Sequence, residues 1–202
     1  LMNKEGIFYY GKCGDPTKGK DPYKELESLL IRYPTSVMVS DQGGDLIGIR
    51  QLQSKYPGRV FLCYYRKDRK SKEMIQWGEG NDYGTVQVDR NRAIQLLVEQ
   101  MRDVGRIKIN GHVEEWNEYA IHYGNIYREL KTTNNTPGKD LSTNYGVELI
   151  WKRTGPDHFV HSTVYAMVGY DKFKEEMATI IGDDMLGQLP VGRIFNNSEN
   201  IW

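Results

Sequence analysis

The sequence predicts an α/β fold, a mixed sheet flanked by helices with an auxiliary β-hairpin. Over residues 1–65, short apolar runs of strand length alternate with segments that repeat apolar residues at helical spacing. Two extended runs then enclose a Gly-Asn-Asp turn at residues 80–82, which is typical of a hairpin. The chain has 202 residues, enough for one domain with a substantial core.

The first part of the chain alternates strands and helices. Residues 7–10, 35–40 and 59–65 are apolar or aromatic runs that predict strands. Between them lie two sets of apolar residues at helical spacing, namely Tyr23, Leu26, Leu29, Leu30 and Tyr33, and then Leu46, Ile49 and Leu52. Pro34 ends the first helix. This order predicts parallel strands joined by helices.

The rest of the chain is less regular. The predicted elements are a hairpin over residues 73–79 and 83–88, helices over residues 90–104, 116–130 and 159–170, a polar loop over residues 131–140, and a strand over residues 146–153. From Gly182 onward the apolar pattern ends. We therefore expect one domain over residues 1–180 and a C-terminal tail over residues 181–202.

The stretch from Gly6 to Cys13, "GIFYYGKC", differs from the nucleotide-binding pattern G-x-x-x-x-G-K-S/T only at Cys13. A phosphate-binding loop needs small residues between its glycines, so that backbone N–H groups can surround the phosphates. Here the intervening residues are bulky strand formers, and the leader from Leu1 to Glu5 is polar. A thiol is also a poor Mg²⁺ ligand. The stretch predicts a sheet strand and not an ATPase loop.

Composition excludes several classes of protein. Lys and Arg together number 27, as do Asp and Glu, so nucleic-acid binding would depend on a local patch. Two cysteines are too few for a disulfide framework or a zinc ribbon. No apolar run approaches the ~18 residues of a membrane span, and no signal peptide opens the chain. We expect a soluble protein of a reducing compartment without a membrane partner.

The first candidate site residue is Asp41, in "VMVSDQGGD". An apolar strand carries this acid to its carboxyl end, and two glycines leave space beside it. Ligand sites in open α/β sheets gather at such ends. The alternative is that Asp41 caps the helix that begins near Asp45. The sequence favours neither interpretation over the other.

The second candidate site lies in "TGPDHFVHSTVYA", where Asp157 stands at a predicted helix start. His161 is four residues further on and shares a helix face with Asp157, while His158 follows directly. Helix capping is the common role of an acid at this position. Asp with His favours a hard divalent metal, and zinc is disfavoured because no third soft ligand stands at a recognisable spacing.

A basic run precedes the predicted hairpin. Its five cations within seven residues are Arg66, Lys67, Arg69, Lys70 and Lys72. Such runs are usually solvated loops, but in a chain without net charge this run is a plausible contact for DNA phosphates. Arg90 is a further candidate phosphate contact, and we expect Asp89 to cap the helix that follows it.

In this order, the motifs resemble the nuclease domain of large terminase subunits from tailed bacteriophages, which has a ribonuclease H-like fold. The matching features are a strand ending in Asp-x-Gly-Gly, a strand ending in aromatics before a basic hairpin, "VDR" ahead of a helix, and "PDHFVHSTVYA". The opening "FYYGKCGDPT" and "DPYKELESLL" also resemble this family. The resemblance covers roughly Gly6 to Tyr170.

The resemblance implies a metal-dependent endonuclease that cuts concatemeric double-stranded viral DNA with two Mg²⁺ or Mn²⁺ ions. Asp41 and Asp157 would be catalytic and bind metal, with His158 or His161 as an assisting or orienting ligand. The basic run would contact the DNA. In the parent protein the implied partners are an N-terminal ATPase domain, a small terminase subunit and the portal, in the host cytoplasm.

One feature of the family is missing from the sequence pattern. The family's first catalytic acid lies on a strand before the equivalent of Ile7, and only a polar leader precedes Ile7 here. We therefore expect the sheet to begin one strand late, unless Glu5, Asp15 or Asp45 replaces that acid. The alternative functions are another ribonuclease H-like nuclease, of the junction resolvase or integrase type, and a non-catalytic DNA-binding packaging module.

Overall fold

The computed structural model describes residues 1–3, 6–7, 9–14, 16–43, 45–66, 72–103, 106–133 and 146–181. Helices and strands alternate along much of this part of the chain, which confirms the predicted α/β class. In chain order the elements are β1 (Met2–Asn3), β2 (Gly6–Ile7), α1 (Pro22–Arg32), β3 (Met38–Asp41), α2 (Leu46–Lys55), β4 (Val60–Tyr65), β5 (Ile75–Trp77), β6 (Thr85–Val88), α3 (Arg90–Arg102), α4 (Asn117–Gly124), β7 (Ile126–Thr133), β8 (Gly146–Arg153) and α5 (His158–Ile181).

The central sheet has the strand order β3–β4–β6–β5. Strands β3, β4 and β6 are parallel, with Asp41 opposite Cys63 and Tyr65 opposite Val88. Strand β5 is antiparallel to β6, so the sheet is mixed. The carboxyl ends of the three parallel strands lie at one edge, which is where α/β sheets place their ligands.

Both faces of this sheet are covered. On β4, Val60 and Leu62 pack into a cluster with α1 and α2, whereas Cys63 belongs to a larger cluster formed mainly with α3, α4 and α5. Successive strand residues point to opposite faces, so a continuous apolar run such as β4 is the pattern of a strand buried on both sides. The sequence of β4 therefore specifies its central position.

The strand predicted over residues 7–10 is wrong in extent and in place. Strand β2 ends at Ile7 and pairs with β1 in a separate antiparallel sheet, so a short strand lies within the leader as well. Tyr10 instead places its ring in an aromatic cluster, with ring centroids 4.7 Å from Trp116 and 5.0 Å from Phe159. The ring of Tyr10 thus packs against Tyr119 of α4 and Phe159 of α5, whereas Tyr9 has 53% of its surface exposed.

The helix predicted over residues 116–130 is wrong beyond Gly124. There α4 ends, and β7 then pairs antiparallel with β8. Tyr127 and Leu130 fit a helical period, yet they lie on a strand, and 44% and 65% of their surface is exposed. Local periodicity cannot reveal pairing with a strand about twenty residues further on. Residues 131–133 of the predicted loop belong to β7, and residues 134–140 lie outside the described residues.

The predicted hairpin between the basic run and α3 is confirmed as β5 and β6, joined across a short 3₁₀ turn, Gly80–Asp82. It is not auxiliary, because β6 pairs in parallel with β4 and brings both strands into the central sheet. Within the described ranges, the antiparallel strand pairs outside that sheet are β1–β2 and β7–β8.

The last helix is longer than predicted. It ends at Ile181, one residue past the expected domain boundary, and the remaining tail residues, 182–202, lie outside the described part. None of the helices described is both long enough and apolar enough to cross a membrane.

Replacing Gly48 by Ala is expected to destabilise the protein by about 1–3 kcal/mol, the usual cost of overpacking. A Cβ at this position of α2 would lie 2.3–2.6 Å from ring atoms of Tyr23 on α1. The measurement is the free energy of unfolding in urea. Gly124→Ala is the control, because its added Cβ has nothing within 4 Å beyond its chain neighbours and the backbone of its own helix. A similar loss in both variants would contradict the packing argument.

Candidate functional site

Asp41 ends β3 at the carboxyl edge of the sheet, and its side chain is exposed. Its Oδ1 accepts a hydrogen bond of 3.1 Å from the N–H of Gly43. The cap of α2 is a different residue, Asp45, whose Oδ1 accepts from the N–H groups of Ile47 and Gly48 at 3.1 and 3.3 Å. The capping alternative for Asp41 is therefore wrong, and its carboxylate is accessible.

Asp157 precedes α5 and is buried, with 1% of its surface exposed. Its Oδ1 accepts from Arg153 Nη1 at 3.0 Å, and its Oδ2 lies 3.0 Å from His161 Nε2 and 3.7 Å from Arg90 Nη2. Burial acts to raise the pKa of Asp157, but the hydrogen bonds from Arg153 and His161 outweigh it and hold that pKa below the usual range. The carboxylate is therefore charged at neutral pH.

The Asp157 side chain does not cap α5, because a neighbouring histidine binds an N–H group of its first turn. His122 Nδ1 accepts from the N–H of Phe159 at 3.1 Å and so satisfies one donor of the first turn of α5. Asn125 binds the turn before the helix, because its Nδ2 donates to the carbonyl of Pro156 at 2.8 Å. These contacts fix the backbone around Asp157, while its carboxylate faces the carboxyl edge of the sheet.

His161 connects Asp157 to the end of β4. Its Nδ1 lies 2.6 Å from the hydroxyl of Tyr65, which also hydrogen-bonds to Tyr165. Burial lowers the pKa of His161, Asp157 opposes this effect, and Arg90 adds to it, so the net pKa is below the ordinary value. The neutral imidazole then donates from Nε2 to Asp157 and accepts at Nδ1 from Tyr65.

The negative charge of Asp41 acts electrostatically on this same group of side chains. Burial raises the pKa of Cys63 to about 12, and the nearby Asp41 carboxylate adds to the increase. Burial also raises the pKa of Tyr165, again with a contribution from Asp41. Asp41 likewise acts to raise the pKa of His161. The fold thus brings Asp41 and the Asp157–His161 pair, which are far apart in the sequence, to one edge.

The other predicted site residues are distributed differently. His158 is exposed, and its ring centroid lies 5.9 Å from that of His122. Arg66 is half-buried, with Nη1 3.4 Å from Gln76 Oε1 and Nη2 bonded to the carbonyl of Glu73. Lys72 is exposed. Three residues of the basic run, Lys67, Arg69 and Lys70, lie outside the described residues, as do Glu5 and Asp15.

Asp89 caps α3 as expected, since its Oδ1 accepts from the N–H of Arg92 at 3.1 Å. Arg90, the next residue, contacts the site with Nη2 and donates from Nη1 to the carbonyl of Trp151 at 2.7 Å. It therefore holds strand β8 beside the carboxyl edge. The sequence alone does not predict this contact between Arg90 and Trp151.

Sequence reasoning missed Tyr65, Tyr165 and Arg153. Tyr165 continues the four-residue spacing of Asp157 and His161 along α5, so the helical pattern contained a signal for it. Tyr65 ends β4 as Asp41 ends β3, which is a weaker signal. Arg153 carried no signal, because its contact with Asp157 depends on the turn between β8 and α5.

The side chains at this edge that could ligate a metal ion are Asp41, Asp157 and His161. Within the ranges that the structure describes, no group of three His, Cys, Asp or Glu side chains is placed to hold a metal ion. Mg²⁺ commonly takes one or two carboxylates and completes its shell with water and substrate phosphates. Of the two acids at this edge, Asp41 is the exposed carboxylate, whereas Asp157 is already held by Arg153, His161 and Arg90.

Fold and site together define an α/β protein whose carboxyl sheet edge carries an exposed acid and a buried acid–histidine–tyrosine network flanked by arginines. Comparison of the chain with models of protein families found no match, and neither did comparison with curated proteins or with solved structures. The function therefore has to be argued from this edge alone.

Tyr65→Phe is expected to raise the pKa of His161, because the Tyr65 hydroxyl donates to Nδ1 and favours the neutral ring. The measurement is an NMR titration of the His161 ring protons. Tyr64→Phe is the control, since it makes the same chemical change at the neighbouring position of β4. An unchanged or lower pKa in Tyr65→Phe would show that the hydroxyl does not set the state of the imidazole.

Proposed function

We propose that the protein is a metal-dependent DNA endonuclease with a ribonuclease H-like fold, the nuclease domain of a viral terminase large subunit. The observation that carries this proposal is that Asp41 and the Asp157–His161 pair lie along the same carboxyl edge of parallel strands. Asp41 ends β3, and His161 is bonded to Tyr65 at the end of the adjacent strand β4. Carboxylates at one edge are the ligands that divalent metals require for phosphodiester hydrolysis. The resemblance of the motif order supports the same function.

The chemistry assigns different tasks to the two acids. Asp41 is exposed and can take a hydrated Mg²⁺ or Mn²⁺ without losing an ion pair. Asp157 would exchange Arg153 for metal at its Oδ1, and Arg153, with 61% of its side chain exposed, would then be available for a substrate phosphate. His161 holds the orientation of Asp157 through Nε2. A bound metal would supply charge stabilisation at the scissile phosphate.

The proposal includes the partners that the resemblance implies. Double-stranded DNA is the substrate, and the ATPase domain, small terminase subunit and portal are the assembly partners in the host cytoplasm. The cations at the edge, Arg90 and Arg153, have the charge that a DNA phosphate needs.

One observation favours a second candidate, a DNA-binding packaging module without catalysis. The buried Asp157 already has two arginines and a histidine as partners, which is a complete structural ion-pair network. In such a module the acids would maintain the fold and the surrounding cations would bind DNA.

The experiment that separates these functions is plasmid cleavage by the purified chain with Mg²⁺, with Mn²⁺ and with EDTA. The nuclease proposal expects metal-dependent nicks or linear product, and no cutting in EDTA. A four-way junction offered beside the plasmid distinguishes a resolvase, which would cut the junction in preference. DNA binding without cutting under every metal condition would reject the nuclease proposal in favour of the packaging module.

A further inference from the structure

We propose that the groove between the start of α3 and strand β8, called here the α3–β8 groove, binds the sugar-phosphate backbone of one DNA strand. This inference deepens the proposed function and rests on it. The groove has a volume of about 450 Å³, and its lining includes Tyr65, Arg66, Arg90, Asn91, Trp151 and Lys152.

The groove adjoins the candidate site directly. Arg90 lines it and also places Nη2 3.7 Å from Asp157 Oδ2. Tyr65 lines it too, and its hydroxyl contacts His161. A strand lying in the groove would therefore lead to the carboxyl edge that carries Asp157 and, at the end of β3, Asp41.

The charge of the lining matches a phosphate. Arg66, Arg90 and Lys152 supply three cations, against the single carboxylate of Asp89. That carboxylate accepts from the N–H of Arg92 as the cap of α3. Arg90 and Lys152 also contact carboxylates outside the lining, Asp157 and Glu129, so a phosphate would compete with these two ion pairs. Phosphate contacts by Lys and Arg are the main source of affinity in DNA binding.

Part of the lining is already held in place. Arg66 is bound to Gln76 and to the Glu73 carbonyl, and Arg90 is bound to the carbonyl of Trp151. Asn91 Oδ1 accepts from the N–H of Trp151 at 3.0 Å, which fixes β8 against α3. Binding therefore orders few additional side chains, which lowers its entropic cost.

Among the cations of the groove, Lys152 can most readily leave its ion pair with Glu129 to contact a phosphate. Its Nζ pairs with Glu129 Oε2 at 3.3 Å, and 47% of each side chain is exposed. A surface pair of this kind contributes at most about 1 kcal/mol, so its loss is easily offset by a phosphate contact. Lys152 is thus the residue whose removal tests the groove with least disturbance of the fold.

The lining favours the backbone over the bases. Trp151, the large aromatic of the groove, has only 8% of its surface exposed and lies beneath the guanidinium of Arg128 at 5.8 Å. It is not available as a stacking platform, which base-reading single-strand proteins require. Contacts to phosphates alone position DNA without selecting its sequence.

The test compares Lys152→Gln with Lys55→Gln in a binding assay without catalytic metal. Lys55 is a matched control, because its Nζ also pairs with a glutamate, Glu27, at 2.5 Å, and it lies on α2 away from the groove. Fluorescence anisotropy of a labelled DNA duplex in EDTA, over a series of salt concentrations, gives the affinity and its salt slope. Thermal unfolding of each variant checks the fold.

Lys152→Gln is expected to weaken binding by about 3- to 10-fold near 0.1 M salt and to reduce the salt slope by about one, as for one lost phosphate contact. Lys55→Gln should bind like the wild type. No loss in Lys152→Gln, an equal loss in both variants, or no DNA binding by the wild type would overturn the proposal. Displacement of DNA by polyglutamate at equal charge concentration would also overturn it, by indicating an acidic peptide as the ligand.

Failure of this inference is distinguishable from failure of the proposed function. Binding is measured without metal, so a Lys152-dependent affinity with no plasmid cleavage would leave the groove standing and reject the nuclease. Metal-dependent cleavage combined with unchanged binding in Lys152→Gln would reject the groove and leave the nuclease proposal standing.

Discussion

Asp41→Asn is expected to reduce metal-dependent DNA cleavage by about 100-fold or more, because a metal ion contributes several kcal/mol of charge stabilisation to the transition state. The substitution removes the charge of an exposed acid and keeps its shape. The fold should be unaffected, since Asp41 accepts a hydrogen bond from the N–H of Gly43, which the amide oxygen of Asn can also accept. The measurement is the initial rate of plasmid nicking with Mg²⁺ and with Mn²⁺.

Asp45→Asn is the matched control for this experiment. It removes a carboxylate four residues away, and Asn caps a helix about as well as Asp does. Cleavage should be retained in this variant. Equal activity of the two variants and the wild type would show that Asp41 does not bind a catalytic metal.

Asp157→Ala is expected to destabilise the protein by about 2–4 kcal/mol, near the lower end for breaking a buried ion pair. The carboxylate is buried, and its removal leaves two guanidinium groups and an imidazole without their common partner. Arg90 and Arg153 have 29% and 61% of their side chains exposed, so water can compensate part of the loss. Urea unfolding measures the difference.

The control for Asp157→Ala is Asp103→Ala, which removes an exposed acid paired with Arg106 at 2.6 Å. That surface pair should contribute less than about 1 kcal/mol. Similar free energies of unfolding for the two variants would show that the Asp157 network adds little to stability. The packaging-module alternative would then lose the observation that favours it.

A second variant at this position, Asp157→Asn, tests the pH dependence that follows from the lowered pKa of Asp157. A carboxyl group with a depressed pKa in the folded state stabilises the protein above its unfolded pKa, about 3.9 for Asp, and this stability is lost as pH falls through the folded value. The difference in stability between wild type and Asp157→Asn should therefore be full at neutral pH and shrink below about pH 4. A difference that grows toward acid would contradict the assignment.

The regular elements that sequence alone predicted well are those whose pattern is local. Apolar spacing placed α1 and α2, and Asp89 marked the start of α3. The continuous apolar run of β4 predicted a buried strand, which the sheet confirms. These features depend on which face each residue presents, and that is fixed by the 3.6- and 2-residue periods of helix and strand.

The failures have a common cause. Tyr127 and Leu130 repeat at helical spacing by coincidence, and their strand is defined by its partner β8. The aromatic run that includes Tyr10 resembles a strand, but its ring packs against α4 and α5. In both cases a long-range contact outweighs a local preference, as tertiary context commonly does.

The sequence by itself determined the α/β class, the position of Asp41 at a strand end, and the shared helix face of Asp157 and His161. Only the tertiary structure decided that these groups lie at the same edge of the sheet. It also decided that Asp45 and His122 satisfy the helix N-termini instead of Asp41 and Asp157, and that Arg90 and Arg153 neutralise the buried acid. The physical reason is that an acid's role depends on the donors around it. Those donors come from β8, α3 and α5, and their positions around Asp157 are set by how these elements pack.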